Sequence, residues 1–194
     1  MSDMAIQPAY IQHFIDIDEY HRMAAAGVFA PDARIELIDG ELIERVGPIH
    51  PPHAGTVTKI ANRFTFVFSE LAHVRNQQPV TLGSRSEPQP DISLVRFDPS
   101  EYMKRHPTIA DVFLLIEVCD TTRAIDQRKK IPMYAREGVL EVWLIDLIDD
   151  CVRTYRRPEA GAYREIGRSE RGERLYARAF ETTIFEVIDL LPPR

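Results

Sequence analysis

The chain has 194 residues, 44% hydrophobic and 28% charged, with a formal net charge of −6. That composition is ordinary for a globular protein, and no apolar run approaches the roughly 18 residues of a membrane helix. The acidic balance excludes a protein that coats nucleic acid by neutralising phosphates, although residues 151–194 are net basic and leave room for a locally basic surface.

The opening MSDMAIQPAYIQHFIDIDEY has no basic stretch followed by an apolar one and a small-residue cleavage site, so the expected address is the cytoplasm. One domain over residues 1–194 is expected, with 1–30 a helical extension and 31–194 the core, because domains commonly hold about 100–200 residues. DIDEYHRMAAAG sets Asp16 three residues before Glu19, as in a capping box, and stops at Gly27, which predicts a short helix. RIELIDGELIERV flanks Asp39-Gly40 with two alternating segments, a hairpin signal that places Glu36 on the first strand. After GPIHPPH, Ile60, Phe64, Val67 or Phe68 and Leu71 recur at helical spacing and predict an amphipathic helix from about 53 to 73.

QPVTLGSRSEPQPDISLVRF reads as a short strand, a polar turn and a second strand over 91–97 that Pro90 introduces in extended conformation, with Asp91 at its entrance. VFLLIEVC, 112–119, is apolar on both faces, with Val112, Leu114, Ile116 and Val118 on one and Phe113, Leu115, Glu117 and Cys119 on the other. It reads as a central strand. A helix over about 126–137 ending at Gly138, then the strand LEVWLIDLI, predicts a right-handed crossover into a parallel pair. Pro132 cannot donate to the carbonyl of Arg128 and is expected to kink that helix or leave its first turn irregular. Strand-like pieces follow at CVRTYRR, AYREIG and TTIFEVI. Cys119 and Cys151 lie in strand-like segments and read as reduced, packed thiols.

Glu117 is the residue that most needs an explanation, since a carboxylate between Ile116 and Val118 costs several kcal/mol unless something compensates it. Asp91 converges on it if the two strands are antiparallel neighbours. On the following helix Asp126, Lys130 and Tyr134 fall on one stripe at i, i+4 and i+8. Two carboxylates beside an ammonium suit metal-assisted phosphodiester hydrolysis, the acids holding Mg²⁺ and the cations offsetting charge on the phosphate. The same residues also read more plainly: Asp126 and Lys130 as a surface ion pair, Asp91 as a turn cap, Glu36 as a solvated hairpin residue, and His50 and His53 as surface histidines beside Pro-Pro. Lys130→Met is expected to leave stability little changed on helix propensity alone.

The segments RIELIDGELIERVGPIHPPH, PQPDISLV and LLIEVCDTTRAIDQRKKIPMYAREGVLEVWLIDL resemble the Uma-two endonuclease family of the PD-(D/E)XK superfamily, from about Asp18 to Leu191. The likeness rests on Glu36, His53, Asp91, Glu117, Asp126, Lys130 and Trp143 in this order. It implies an α/β (α+β) restriction-endonuclease-like fold, a mixed central sheet flanked by helices with an N-terminal helix and β-hairpin, and phosphodiesterase chemistry. It also implies a divalent metal, Mg²⁺ or Mn²⁺, held by Asp91 and Glu117, with Glu36 a further metal or water ligand. The superfamily pattern has Lys two residues after the second acid, where this chain has Cys119, so the catalytic Lys is inferred to have moved to Lys130, with His53, Asp126 and Tyr134 supporting. The expectation is a cytoplasmic Mg²⁺-dependent endonuclease acting on DNA as a homodimer. The alternative is a catalytically silent nuclease-fold domain for binding or scaffolding.

Overall fold

The computed structural model describes residues 10–120 and 126–194, and of residues 126 and 127 the backbone alone. Helix α1 (Ile17–Ala25) starts as its sequence predicts: the Asp16 carboxylate accepts the Glu19 N–H at 2.7 Å and the Glu19 carboxylate accepts the Asp16 N–H at 3.0 Å. The Tyr20 hydroxyl donates to the Ile35 carbonyl and ties α1 to the hairpin of β1 (Ile35–Ile38) and β2 (Glu41–Glu44). Asp39 and Gly40 both have positive φ, 53° and 80°, as the tight primed turn requires. A Cβ at Gly40 would lie 2.6 Å from that of Phe14, so packing as well as the turn demands glycine. The register pairs Glu36 with Ile43.

Helix α2 (Pro51–Phe68) has prolines at its first two positions, where no intrahelical N–H bond is lost. It ends earlier than the apolar spacing predicts. Leu71 lies beyond it, 53% exposed, and the chain turns directly into β3 (His73–Asn76), which pairs with β4 (Ile92–Val95). A long-range strand pairing outcompetes the local helical pattern there, which periodicity within one window cannot detect. The short strand predicted before Asp91 is reduced to isolated bridges, Leu82 with Ser86, Leu37 with Glu87 and Thr81 with Thr108.

β5 (Val112–Cys119) and β6 (Glu141–Asp146) are parallel neighbours, joined by a crossover that includes α3 (Ile131–Arg136). β7 (Cys151–Glu159) and β8 (Ala162–Glu170) complete a six-stranded mixed sheet of order β3-β4-β5-β6-β7-β8, antiparallel apart from that pair. The tail supplies a small pair, β9 (Arg174–Tyr176) with β10 (Ile184–Glu186). On one face of the large sheet, Ile60, Phe64 and Phe68 of α2 pack on Ile92, Leu114, Ile116 and Trp143. On the other, Met133, Tyr134 and Ala135 of α3 pack with Leu115 and Val142. A bulge between Leu94 and Val95 pairs Val95 with Val112 and skips Phe113. It sends Val112 to the α3 side and Phe113 to the α2 side, reversing the faces that simple alternation predicts for these two residues.

The helix predicted over 126–137 is built in two parts: a π-helical turn at Asp126–Lys130, then α3 with Pro132 in its first turn. A wider turn before a proline accommodates the carbonyl that proline cannot satisfy. Cys119 and Cys151 are buried thiols. No helix among the described residues is long and apolar enough to cross a membrane.

Candidate active site

The antiparallel register of β4 and β5 pairs Ile92 with Ile116, so Asp91 and Glu117 follow at the same end of adjacent strands. The hairpin is bound to the segment leading into β4, with the Glu87 N–H donating to the Leu37 carbonyl and the Gln89 N–H to the Glu36 carboxylate. This brings the third acid to the same place. Glu36, Asp91 and Glu117 are 3%, 1% and 0% exposed.

Three acids buried together require nearby positive charge. Lys130, itself 1% exposed, donates to Glu117 Oε1 at 3.0 Å and lies 2.9 Å from Glu36 Oε2. The Tyr134 hydroxyl donates to the same Glu117 oxygen at 2.6 Å. Asp91 Oδ2 accepts the main-chain N–H of Val118 at 2.9 Å and lies 3.2 Å from His53 Nε2, while Oδ1 accepts from Gln77 at 3.2 Å. Arg45 spans the group: its Nε is 2.9 Å from Glu36 Oε1, and its two terminal nitrogens lie 3.9 Å from Asp91 Oδ1 and 3.7 Å from Glu117 Oε2. A cleft of about 140 Å³ opens beside them, lined in part by Arg34, Arg45, Pro48, His50, His53 and Gln77.

Of the residues singled out from sequence, Glu36, His53, Asp91, Glu117, Lys130 and Tyr134 therefore meet here. The side chain of Asp126 lies outside the described residues. The plain readings of Lys130 and Glu36 as surface groups are corrected by their burial. The expectation that Lys130→Met spares stability is corrected too, because helix propensity takes no account of two buried carboxylates around one ammonium. Lys129, next along, pairs instead with exposed Glu41.

Arg45, Gln77 and Gln89 were not singled out. Arg45 had a signal: the turn at Asp39-Gly40 sets Glu36 against Ile43, and the diagonal neighbour two residues on, on the same face, is Arg45. Gln77 had none, since it follows a strand, β3, that the sequence pattern does not predict.

Burial works against ionised Asp91, but the hydrogen bond and charge of His53, the charge of Arg45 and the Val118 N–H outweigh it and hold the carboxyl below its ordinary value. Burial likewise opposes protonated His53, and the Asp91 hydrogen bond and charge, with Asp120, raise it above 6.5. Among the described residues Nδ1 of His53 has no hydrogen-bond partner. In linkage terms the depressed Asp91 contributes stability that is complete above about 3.8 and lost as pH falls. The raised His53 contributes stability that is complete below about 6.5 and lost as pH rises through its folded value. In metal-free protein the destabilisation caused by His53→Ala will therefore be greatest between about pH 3.8 and 6.5 and shrink on either side. Urea unfolding of both proteins from pH 3 to 9 measures it, and a difference that does not vary with pH would rule out the imidazolium–carboxylate pair.

Asp91 Oδ2 and Glu117 Oε1 are each held by two protein groups, while Asp91 Oδ1, which accepts from Gln77, and Glu117 Oε2 face the Arg45 guanidinium. Two carboxylate oxygens beside a cleft that can admit waters suit a hard divalent ion such as Mg²⁺, which takes one or two carboxylates and keeps several waters. No group of three or more His, Cys, Asp and Glu side chains among the described residues is placed to hold a metal ion unaided. Arg45 and Lys130 stand among the acids instead.

Comparison with known proteins agrees with this architecture. Residues 17–187 match the Uma2 family, described as "Putative restriction endonuclease". A search of the curated proteins gives no match. Among solved structures, a nuclease described as "putative" and belonging to DUF820, from Anabaena variabilis ATCC 29413, superposes with a TM-score of 0.70 at 20% identity. The match covers 91% of this chain and 97% of that one, a likeness of fold. The chain belongs to the Uma2 family.

Proposed function

We propose that this member of the Uma2 family is a divalent-metal-dependent endonuclease that hydrolyses phosphodiester bonds in DNA. Asp91 and Glu117 would hold Mg²⁺ or Mn²⁺, with Glu36 and Lys130 completing the catalytic set. The family description supports a nuclease, and the observation that carries the finer reading is the pairing of Asp91 with Glu117 across β4 and β5, each with one oxygen turned toward the same cation.

The bound ion would offset the phosphate charge and acidify a water. The chain's own groups set the stage for it. Lys130 and Tyr134 fix Glu117 through Oε1, leaving Oε2 on the side of Arg45. The Val118 N–H and His53 fix Asp91 through Oδ2, and His53 holds its proton at Nε2 against that oxygen. Glu36 reaches Lys130 and Arg45 together and keeps both cations over the acids. Lys130 acts in that set through Glu117 and Glu36, which its buried ammonium holds in position.

Incubation with supercoiled plasmid and with single-stranded DNA, with Mn²⁺ or with chelator, tests the reading. Metal-dependent cleavage is expected. Intact DNA at saturating Mn²⁺ would turn the site into one for binding alone.

A further inference from the structure

We infer that Arg45 is the exchangeable counter-ion of this site: its guanidinium balances Asp91 and Glu117 when no divalent ion is bound, and leaves them when one is. The inference rests on the metal reading above.

The two cations of the site are held differently. Lys130 is 1% exposed and makes hydrogen bonds to Glu117 and Glu36, so it is a fixed part of the interior. Arg45 is 21% exposed, sits at the wall of the cleft, and is anchored at Nε by Glu36. Its terminal nitrogens stand 3.9 and 3.7 Å from Asp91 and Glu117, too far for hydrogen bonds. At these distances its hold on the two acids is Coulombic.

Val118, His53, Lys130 and Tyr134 act on Oδ2 of Asp91 and Oε1 of Glu117, so that Oδ1 of Asp91, which accepts the neutral amide of Gln77 at 3.2 Å, and Oε2 of Glu117 are the oxygens that face Arg45. An ion bound to both at ligand distances of about 2.1 Å would be pressed against the guanidinium. Two like charges at such separation repel strongly in a partly buried site. Arg45 has a way out that Lys130 lacks, into the cleft shared with Arg34, Pro48 and His50. The acids are thus never left without a cation, and metal affinity is set by a competition within the chain.

Titration with Mn²⁺, followed by calorimetry and by loss of the free-ion electron paramagnetic resonance signal, tests this on the whole chain. Arg45→Met is expected to bind Mn²⁺ roughly ten-fold or more tighter than the parent, a value scaled down for the partial exposure of Arg45, and Arg45→Lys to stay near the parent. Equal or weaker binding by Arg45→Met overturns the inference and leaves the metal reading intact. No binding by either protein overturns both. Should Arg45→Met fail to fold, nuclear magnetic resonance of the parent serves: the Arg45 Nε–H signal is expected to shift and exchange faster with water as Mg²⁺ saturates the site. A signal unchanged through saturation overturns the inference.

Discussion

Lys130→Met will lower the free energy of unfolding by about 3–5 kcal/mol, the usual consequence of stranding a buried charge, and the melting temperature by roughly 6–20 °C for a chain of this size. Lys130 is the ammonium that Glu117 and Glu36 share inside the protein, and methionine fills its volume without its charge. Urea unfolding of parent and variant measures the effect. Lys129→Met is the control: its pair with Glu41 is solvent-exposed, and its loss will fall within about 0.5 kcal/mol. Adding Glu117→Gln to Lys130→Met will restore part of the stability, since a neutral amide no longer needs the ammonium. A Lys130→Met protein as stable as its parent would mean that the ion pair does not form.

The second large effect concerns Asp91. Asp91→Asn keeps the shape and an acceptor for the Val118 N–H, so the fold will survive, while the charge that would hold a metal is lost. DNA cleavage will fall by about 10²–10³ or more, in the range seen when an electrostatic contact to a transition state is removed. Mn²⁺ binding will weaken in parallel, and the His53 resonance will titrate at lower pH because its carboxylate partner is gone. A variant that cuts at the parent rate would remove Asp91 from the site.

Much of this arrangement was legible in the chain because it followed from local chemistry. Glu117 stood out as a charge in an apolar strand, and the compensation it required was found in Lys130 and Tyr134, four residues apart on the next helix. Asp39-Gly40 announced the hairpin that carries Glu36, and the apolar strands VFLLIEVC and LEVWLIDLI announced the parallel pair. The losses came where distant segments decide the outcome. The end of α2 yielded to β3 only because β4 offered an edge, and with β3 went Gln77. Arg45 stands in a run of charges at a hairpin end, and the residues next to it in the chain do not separate it from a solvated one. Only the register against Glu36 does. The π-helical turn was half legible: Pro132 forecast irregularity but not its form.

The hydrogen bond from the Val118 main chain to Asp91 has a bearing on how the protein can evolve. Asp91 is oriented by a group that every residue except proline carries, so substitution at position 118 leaves that donor in place. The Val118 side chain belongs to the α2 side of the core. Drift at this position can therefore remodel packing while the donor to Asp91 is inherited unchanged. Selection on the core and selection on the acid pair are in this way uncoupled at one residue, with proline as the one forbidden step.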